Sequence, residues 1–167
     1  AVAGVSAGTA TMTYTVTGTG GCPNATATRT VTVTAAPSAG TLSGGQNICI
    51  GGNTTFTSTV AGGSWSSGNV GVATINPTTG AVAGVSAGTA TMTYTVTGTG
   101  GCPNATATRT VTVTAAPSAG TLSGGQNICI GGNTTFTSTV AGGSWSSGNT
   151  GVATINPTTG AVAGVSA

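Results

Sequence analysis

Cysteine, tyrosine and arginine are the only side chains of this sequence that titrate. The 167 residues include four Cys, two Tyr and two Arg, and they contain no Asp, Glu, His or Lys. General acid–base catalysis uses His or a carboxylate in almost every known arrangement, and a Cys nucleophile needs a neighbouring base. We therefore predict that the chain is not an enzyme, and we expect it to hold no cofactor.

An internal repeat organises the whole sequence. Residue 81 restarts the sequence of residue 1, so the period is 81 − 1 = 80 residues, and laying 1–87 over 81–167 leaves one difference, Val70 against Thr150. Solenoid repeats run to roughly 20–45 residues, whereas a small β-sandwich domain has about 100. The period therefore predicts tandem domains that each have their own core.

Short strands separated by turns are predicted throughout each repeat, and helix signals are absent. In residues 89–97 every odd position is Thr, and the even positions are Ala90, Met92, Tyr94 and Val96. Such alternation places one face of a strand against a core and leaves a row of hydroxyls on the other face. Many short strands of this kind predict an all-β sandwich. The predicted core anchors are the large aromatic residues Trp65, Phe56, Tyr94, Trp145, Phe136 and Tyr14.

Several motifs resemble a known bacterial family. Trp65-Ser66-Ser67-Gly68-Asn69, Val72-Ala73-Thr74-Ile75 and Ala87-Gly88-Thr89-Ala90-Thr91 follow one another as in the group 2 bacterial immunoglobulin-like repeat. The positions of Cys49 and Cys102 are similar to the variant in giant repetitive surface adhesins of gliding and related Bacteroidota. The resemblance implies tandem immunoglobulin-like β-sandwich domains and an extracellular location at the bacterial cell surface.

The resemblance also implies where the domains begin and end. Residues 1–36 correspond to the C-terminal strands of a preceding domain, 37–116 to one complete domain, and 117–167 to the N-terminal strands of a following domain. Two interpretations are open: the chain is a window on a continuous array, or separate copies complete one another by strand exchange.

The four cysteines, Cys22, Cys49, Cys102 and Cys129, are disulfide candidates. No metal site is expected, because two cysteines per repeat cannot supply the usual four zinc ligands and calcium needs carboxylates. An even count in an extracellular protein favours disulfides. In an immunoglobulin topology Cys49 and Cys102 lie at opposite ends of one domain, so a bond between them requires a displaced first strand. The alternative is a bond between adjacent domains, which leaves all four cysteines unpaired within these residues.

The near-absence of charge limits the partners that this chain can have. Charged residues make up 1% of the chain, and the formal net charge is +2. This is too sparse for a nucleic-acid interface, and no apolar run approaches the 18 or so residues of a membrane span. The expected partners are neighbouring repeats of the same chain or filament, with lateral self-association or a surface polysaccharide as further possibilities.

A structural stalk or filament segment of a repetitive adhesin is the function that the sequence favours. One alternative is a glycan-binding module that uses Trp65, Tyr94 and the Thr faces. Another is a fibre subunit that polymerises by strand complementation. For Arg109, on the apolar phase of its strand, we expect an edge position or a local bulge, with a ligand contact or a cation–π pair with Trp65 or Tyr94 as the alternative.

Overall fold

The structure, a computed structural model, describes residues 1–166 and contains sixteen β-strands and no helix in those residues. The all-β prediction is confirmed. The chain forms two compact units, residues 1–115 and residues 116 onward. The domain limits inferred from the resemblance, 1–36, 37–116 and 117–167, stay a prediction.

The first unit contains eleven strands, which differ widely in length. Their bounds are β1 Gly8–Val16, β2 Ala25–Val33, β3 Leu42–Ser43, β4 Asn47–Cys49, β5 Asn53–Thr55, β6 Thr57–Ser58, β7 Ser64–Ser67, β8 Ala73–Ile75, β9 Ala81–Gly84, β10 Gly88–Val96 and β11 Ala105–Thr114. The second unit contains five short strands. These are β12 Leu122–Ser123, β13 Asn133–Thr135, β14 Thr137–Ser138, β15 Ala153–Ile155 and β16 Ala161–Gly164.

Strands β3 to β11 build one β-sandwich. One sheet has the order β4-β11-β10-β7, the second has the order β5-β9-β8, and β3 pairs with β6. The β4–β11 pair is parallel and the other pairs are antiparallel. This pairing is that of an immunoglobulin-like sandwich whose first strand is divided between the two sheets.

The alternating pattern of β10 explains how the sandwich closes. Ala90, Met92 and Tyr94 point inward and are buried, whereas the Thr residues between them are exposed or half-buried. Residues of both sheets complete the core. Its buried members are Ala39, Phe56, Trp65, Ala73, Val82, Ala90, Met92, Tyr94, Val111 and Val113. Hydrophobic burial of this kind is the main force that holds a small sandwich together.

The extended segment of residues 53–58 is interrupted at Phe56. Strand β5 pairs with β9 and β6 pairs with β3, so the chain changes partners at this point. The Phe56 amide donates a 2.9 Å hydrogen bond to the Gly80 carbonyl, and its ring is fully buried. The interruption carries the largest fully buried side chain of the domain into the core.

The two ends of the chain form copies of two different parts of this sandwich. Strands β1 and β2 form a hairpin whose pairing, Gly8 with Val33 through Val16 with Ala25, repeats that of β10 and β11. The second unit forms the sheet β13-β16-β15 and the pair β12-β14, copies of β5-β9-β8 and β3-β6. Residues 127–129 and 144–147 repeat the sequences of β4 and β7 but form no strand. Their sheet partners in the complete sandwich are β11 and β10, and residues 116–166 contain no copy of these two strands.

Candidate functional site

The aromatic core of the complete sandwich shows what a closed repeat requires. The rings of Trp65 and Tyr94 are 4.8 Å apart between centroids, and those of Phe56 and Trp65 are 6.1 Å apart. The Tyr94 hydroxyl donates to the Val60 carbonyl and accepts from the Gly63 amide, each at 2.8 Å. Tyr94 therefore supplies both apolar surface and a hydrogen-bonded anchor for the turn before β7.

Arg109 joins the two sheets of the sandwich instead of turning outward. Its guanidinium donates to the Gly44 carbonyl at 2.6 and 3.2 Å and to the Leu42 carbonyl at 3.1 Å. Its Cζ lies 5.5 Å from the centroid of the Phe56 ring. The expected bulge is wrong, because the β10–β11 register continues without a break through Arg109. On its other side β11 has no strand partner at Arg109, since β4 pairs only with residues 112–114. The cation–π partner is Phe56 instead of Trp65 or Tyr94. The signal that sequence reasoning missed is that β3, with its short Gly-Gly break, leaves carbonyls without a strand partner.

The hairpin β1–β2 exposes the face that its copy buries. Tyr14 is 72% exposed, whereas Tyr94 is 5% exposed, and Met12 and Val16 are exposed as well. Tyr14 lies opposite Ala27 as Tyr94 lies opposite Ala107. The prediction of Tyr14 as a core anchor is therefore wrong for residues 1–166, because nothing in them covers Tyr14 as Trp65 covers Tyr94.

The second unit holds the matching open half. Phe136 and Trp145 keep the tilted contact of their copies, with ring centroids 6.0 Å apart, but both are only half-buried. An open groove of about 650 Å³ runs beside them and is lined in part by Leu122, Val140 and Ser144. These two predicted anchors thus contact each other without a closed core, because the strand that fills this place in the complete sandwich is missing from the unit.

None of the four cysteines is in a disulfide within residues 1–166. Cys49 lies opposite Thr114 in the β4–β11 pair, and Cys102 lies in the loop that precedes β11. Ala105 and Thr114 are nine residues apart, which is about 30 Å along a strand. A disulfide requires Cα atoms within about 7 Å. The alternative of a Cys49–Cys102 bond inside one repeat is therefore excluded.

The loop that holds Cys102 lies against the end of the preceding hairpin. The Cys102 Sγ is 3.5 Å from the Thr34 carbonyl oxygen. A methyl group added at Gly100 would collide with the Thr34 side chain, whereas at its copy Gly20 it would meet nothing within 4 Å. Residues 100–102, in the loop between β10 and β11, thus pack closely against Thr34 at the end of the β1–β2 hairpin.

The remaining chemistry of the described chain is sparse. Across residues 1–166 no three Cys, the only potential ligand type present, come together as a metal-binding group. No helix in this part of the chain is long and apolar enough to cross a membrane.

Comparisons with known proteins give likenesses only to solved structures. No family model and no curated protein matches the sequence. Among solved structures, domains 1–6 of the surface layer protein SbsC are similar, with a TM-score of 0.40 and 15% identity over 96% of this chain and 32% of that chain. The chain thus spans about a third of the length of that solved chain. A likeness at this level says nothing about what the chain binds or does.

Proposed function

We propose that this chain is a segment of an extracellular stalk or filament, as in a repetitive adhesin of the bacterial cell surface. Each repeat would act as a rigid spacer that carries a distal element away from the cell. The proposal is supported by the repeat itself and by a sandwich whose core is closed, with no unpaired buried polar side-chain atom in the described residues.

The path of the chain through the complete sandwich is the observation that carries this proposal. The chain arrives at Thr34, beside the loop that precedes β11, and it leaves at Thr114, where β11 ends. These two points are separated by the length of β11, about 30 Å. Entry and exit at opposite ends make each repeat advance the chain by one domain length, which is the property that a stalk needs.

The short connection between repeats supports a stiff stalk. Only Thr34, Ala35 and Ala36 separate the end of β2 from Pro37. Proline fixes its own φ and restricts the residue before it to extended conformations. Together with the close contact between Thr34 and Gly100, this limits bending at the joint.

Small-angle X-ray scattering tests the stalk directly. Chains that carry one, two and four additional copies of residues 37–116 should lengthen by the same increment for each copy, about 35–40 Å of strand and linker. The matched control has a ten-residue Gly-Ser insertion after Ala36 in each joint, and its length should grow more slowly, because flexible linkers follow a square-root law. Equal growth curves for the two series would contradict the rigid stalk.

The glycan-binding alternative receives no support from a specific feature of the complete sandwich. Trp65 and Tyr94 are buried, so neither ring is available to stack on a sugar. The Tyr94 hydroxyl is already engaged in two hydrogen bonds. A surface polysaccharide would be left with the Thr faces, which are the ordinary solvated side of such a sheet.

A further inference from the structure

The two ends of the chain carry the two halves of one sandwich. The hairpin of residues 8–33 repeats the sequence and pairing of β10 and β11, and residues 117–166 repeat the rest of the domain apart from the exposed difference at Thr150. Every contact between these halves in the complete sandwich therefore has a chemically identical counterpart in a second copy. The aromatic contact of Trp65 with Tyr94, for example, would recur between Trp145 and Tyr14.

The polar contacts that would close such a joint are also present. Arg109 holds the Leu42 and Gly44 carbonyls in the complete sandwich. Its copy Arg29 is exposed, and the matching carbonyls belong to Leu122 and Gly124. Two segments of the second unit form no strand in this chain, residues 127–129 and residues 144–147. They would pair with β2 and β1 of another copy, as β4 pairs with β11 and β7 pairs with β10.

The joint would also bring two thiols together. In the complete sandwich Thr114 is the pairing partner of Cys49, and the Thr114 carbonyl accepts a 2.9 Å hydrogen bond from Ile50. The copies of Cys49 and Thr114 are Cys129 and Thr34. A second copy docked on the hairpin would thus place Cys129 beside Thr34, whose carbonyl is already 3.5 Å from the Cys102 Sγ.

We propose that a disulfide locks each joint between repeats and joins the cysteine at the position of Cys49 in one repeat to the cysteine at the position of Cys102 in the next. In a solution of these 167 residues, residues 8–33 of one copy can close onto residues 117–166 of a second copy, and the bond then joins Cys102 of the first copy to Cys129 of the second. The inference rests on the repeat geometry and does not need the cell-surface location. In a continuous array the same geometry joins each β4 cysteine to the loop cysteine of the next repeat.

Seven residues are duplicated when the halves meet. Residues 161–167 repeat residues 1–7, and both segments would claim the position that β9 and its following residues take in the complete sandwich. Strand β16 is held by β13 and β15, whereas residues 1–7 are exposed and form no strand. We therefore expect residues 1–7 to be displaced from this position.

The covalent step is an oxidation that needs an acceptor. The Cys102 and Cys129 thiols lose two protons and two electrons as their sulfur atoms bond. A low-molecular-weight or protein disulfide accepts them by thiol–disulfide exchange and leaves as two thiols. In the test this acceptor is oxidised glutathione.

The experiment uses the full chain. Under reducing conditions, light scattering after gel filtration should give masses that rise with concentration in multiples of 15.4 kDa. Oxidised glutathione should then convert these species into a ladder on a non-reducing gel, and peptide mapping should recover the Cys102–Cys129 pair. In the variant C22S/C49S, which keeps this pair, the ladder should form unchanged.

A variant with the same number of thiols provides the matched control. C22S/C129S keeps Cys49 and Cys102, which lie at opposite ends of the sandwich, so it should assemble without covalent joints. Its ladder should form about a thousandfold more slowly, because a thiol held in a joint has a millimolar effective concentration and a chance encounter only a micromolar one. A chain that stays monomeric at its highest soluble concentration would overturn the proposal. So would assembly in which Cys102 and Cys129 remain unlinked, or equal ladders from both variants.

The outcomes also separate this inference from the stalk. A locked joint with unequal length increments would contradict only the rigid spacer. Equal length increments in chains whose Cys102 and Cys129 fail to link under oxidising conditions would contradict only the joint.

Discussion

Arg109 shows how one side chain can join two sheets in a protein that has almost no charge. Its three hydrogen bonds reach carbonyls of β3 and the Gly44 that follows it, and its guanidinium lies over the Phe56 ring. Hydrogen bonds to a charged group are worth more than neutral ones, and unsatisfied carbonyls are costly when they are buried. Arg29 has the same position in the β1–β2 hairpin but is exposed, so its replacement is a control for the replacement of Arg109.

Replacing Arg109 should therefore destabilise the complete sandwich selectively. We expect Arg109→Ala to lower the free energy of unfolding of residues 42–114 by about 2–3 kcal/mol, and Arg29→Ala to leave it unchanged. Hydrogen-exchange mass spectrometry on dilute, reduced chain measures both. An equal loss in the two variants would show that the effect does not come from the contacts with Leu42 and Gly44.

Burial at single residues could be predicted from the sequence only where the chain also contains the covering residues. Period-2 alternation and large aromatic side chains predict a buried position, and Phe56, Trp65 and Tyr94 are buried. Tyr14, Phe136 and Trp145 have almost the same sequence neighbours, yet they are exposed or half-buried. Their burial depends on a partner segment and not on local sequence.

The same dependence is visible in the strands. Asn127-Ile128-Cys129 has the sequence of β4 without its structure, because a short strand forms only when another strand satisfies its backbone groups. The hairpin β1–β2 keeps its structure alone, since each of its strands satisfies the other. Periodicity therefore predicted the long hairpins well, and it could not predict which short edge strands would form.

Residues 1–7 should act as a brake on self-assembly. Deleting them removes the segment that competes with 161–167 for one position, so the deletion should lower the concentration at which copies associate. We expect a shift of about tenfold, equivalent to 1.4 kcal/mol, measured by light scattering under reducing conditions.

A deletion in the second copy of the duplicated segment is the matched control. Removing residues 161–166 takes away β16, which holds the sheet of the second unit together, and should weaken association. If the shorter N-terminus also weakened association, residues 1–7 would be part of the joint instead of its competitor.

At the scale of the whole molecule, association should depend little on salt. The chain has a formal net charge of +2 and no acidic side chain, so there are no ion pairs between copies to screen. The midpoint of self-association should move by less than about threefold between roughly 0.02 and 0.5 M NaCl, a range over which the Debye length shrinks several-fold. Analytical ultracentrifugation measures this. A tenfold weakening would indicate electrostatic contacts that the sequence does not provide.

The tandem all-β architecture could be predicted almost entirely from the repeat and the strand pattern, whereas the sequence offered the disulfide between adjacent domains only as one of two alternatives. The period showed that each end of the chain carries part of a domain. Only the contact of Cys102 with Thr34 and the pairing of Cys49 with Thr114 connect the two cysteine positions. Both depend on three-dimensional register, which was needed to choose between the two alternatives.

The parallel pairing of β4 with β11 determines how the sandwich would respond to tension. Strand β4 comes early in the domain and β11 ends it. The two strands are joined by hydrogen bonds in which the Thr112 amide donates to the Gln46 carbonyl at 2.7 Å and the Ile50 amide donates to the Thr114 carbonyl at 2.9 Å. Pulling the two ends apart drives parallel neighbours past each other in shear, so these bonds carry the force together instead of opening one at a time. Under flow or traction, each domain would resist extension at its termini, and the rest of the fold would be shielded until that short patch yields.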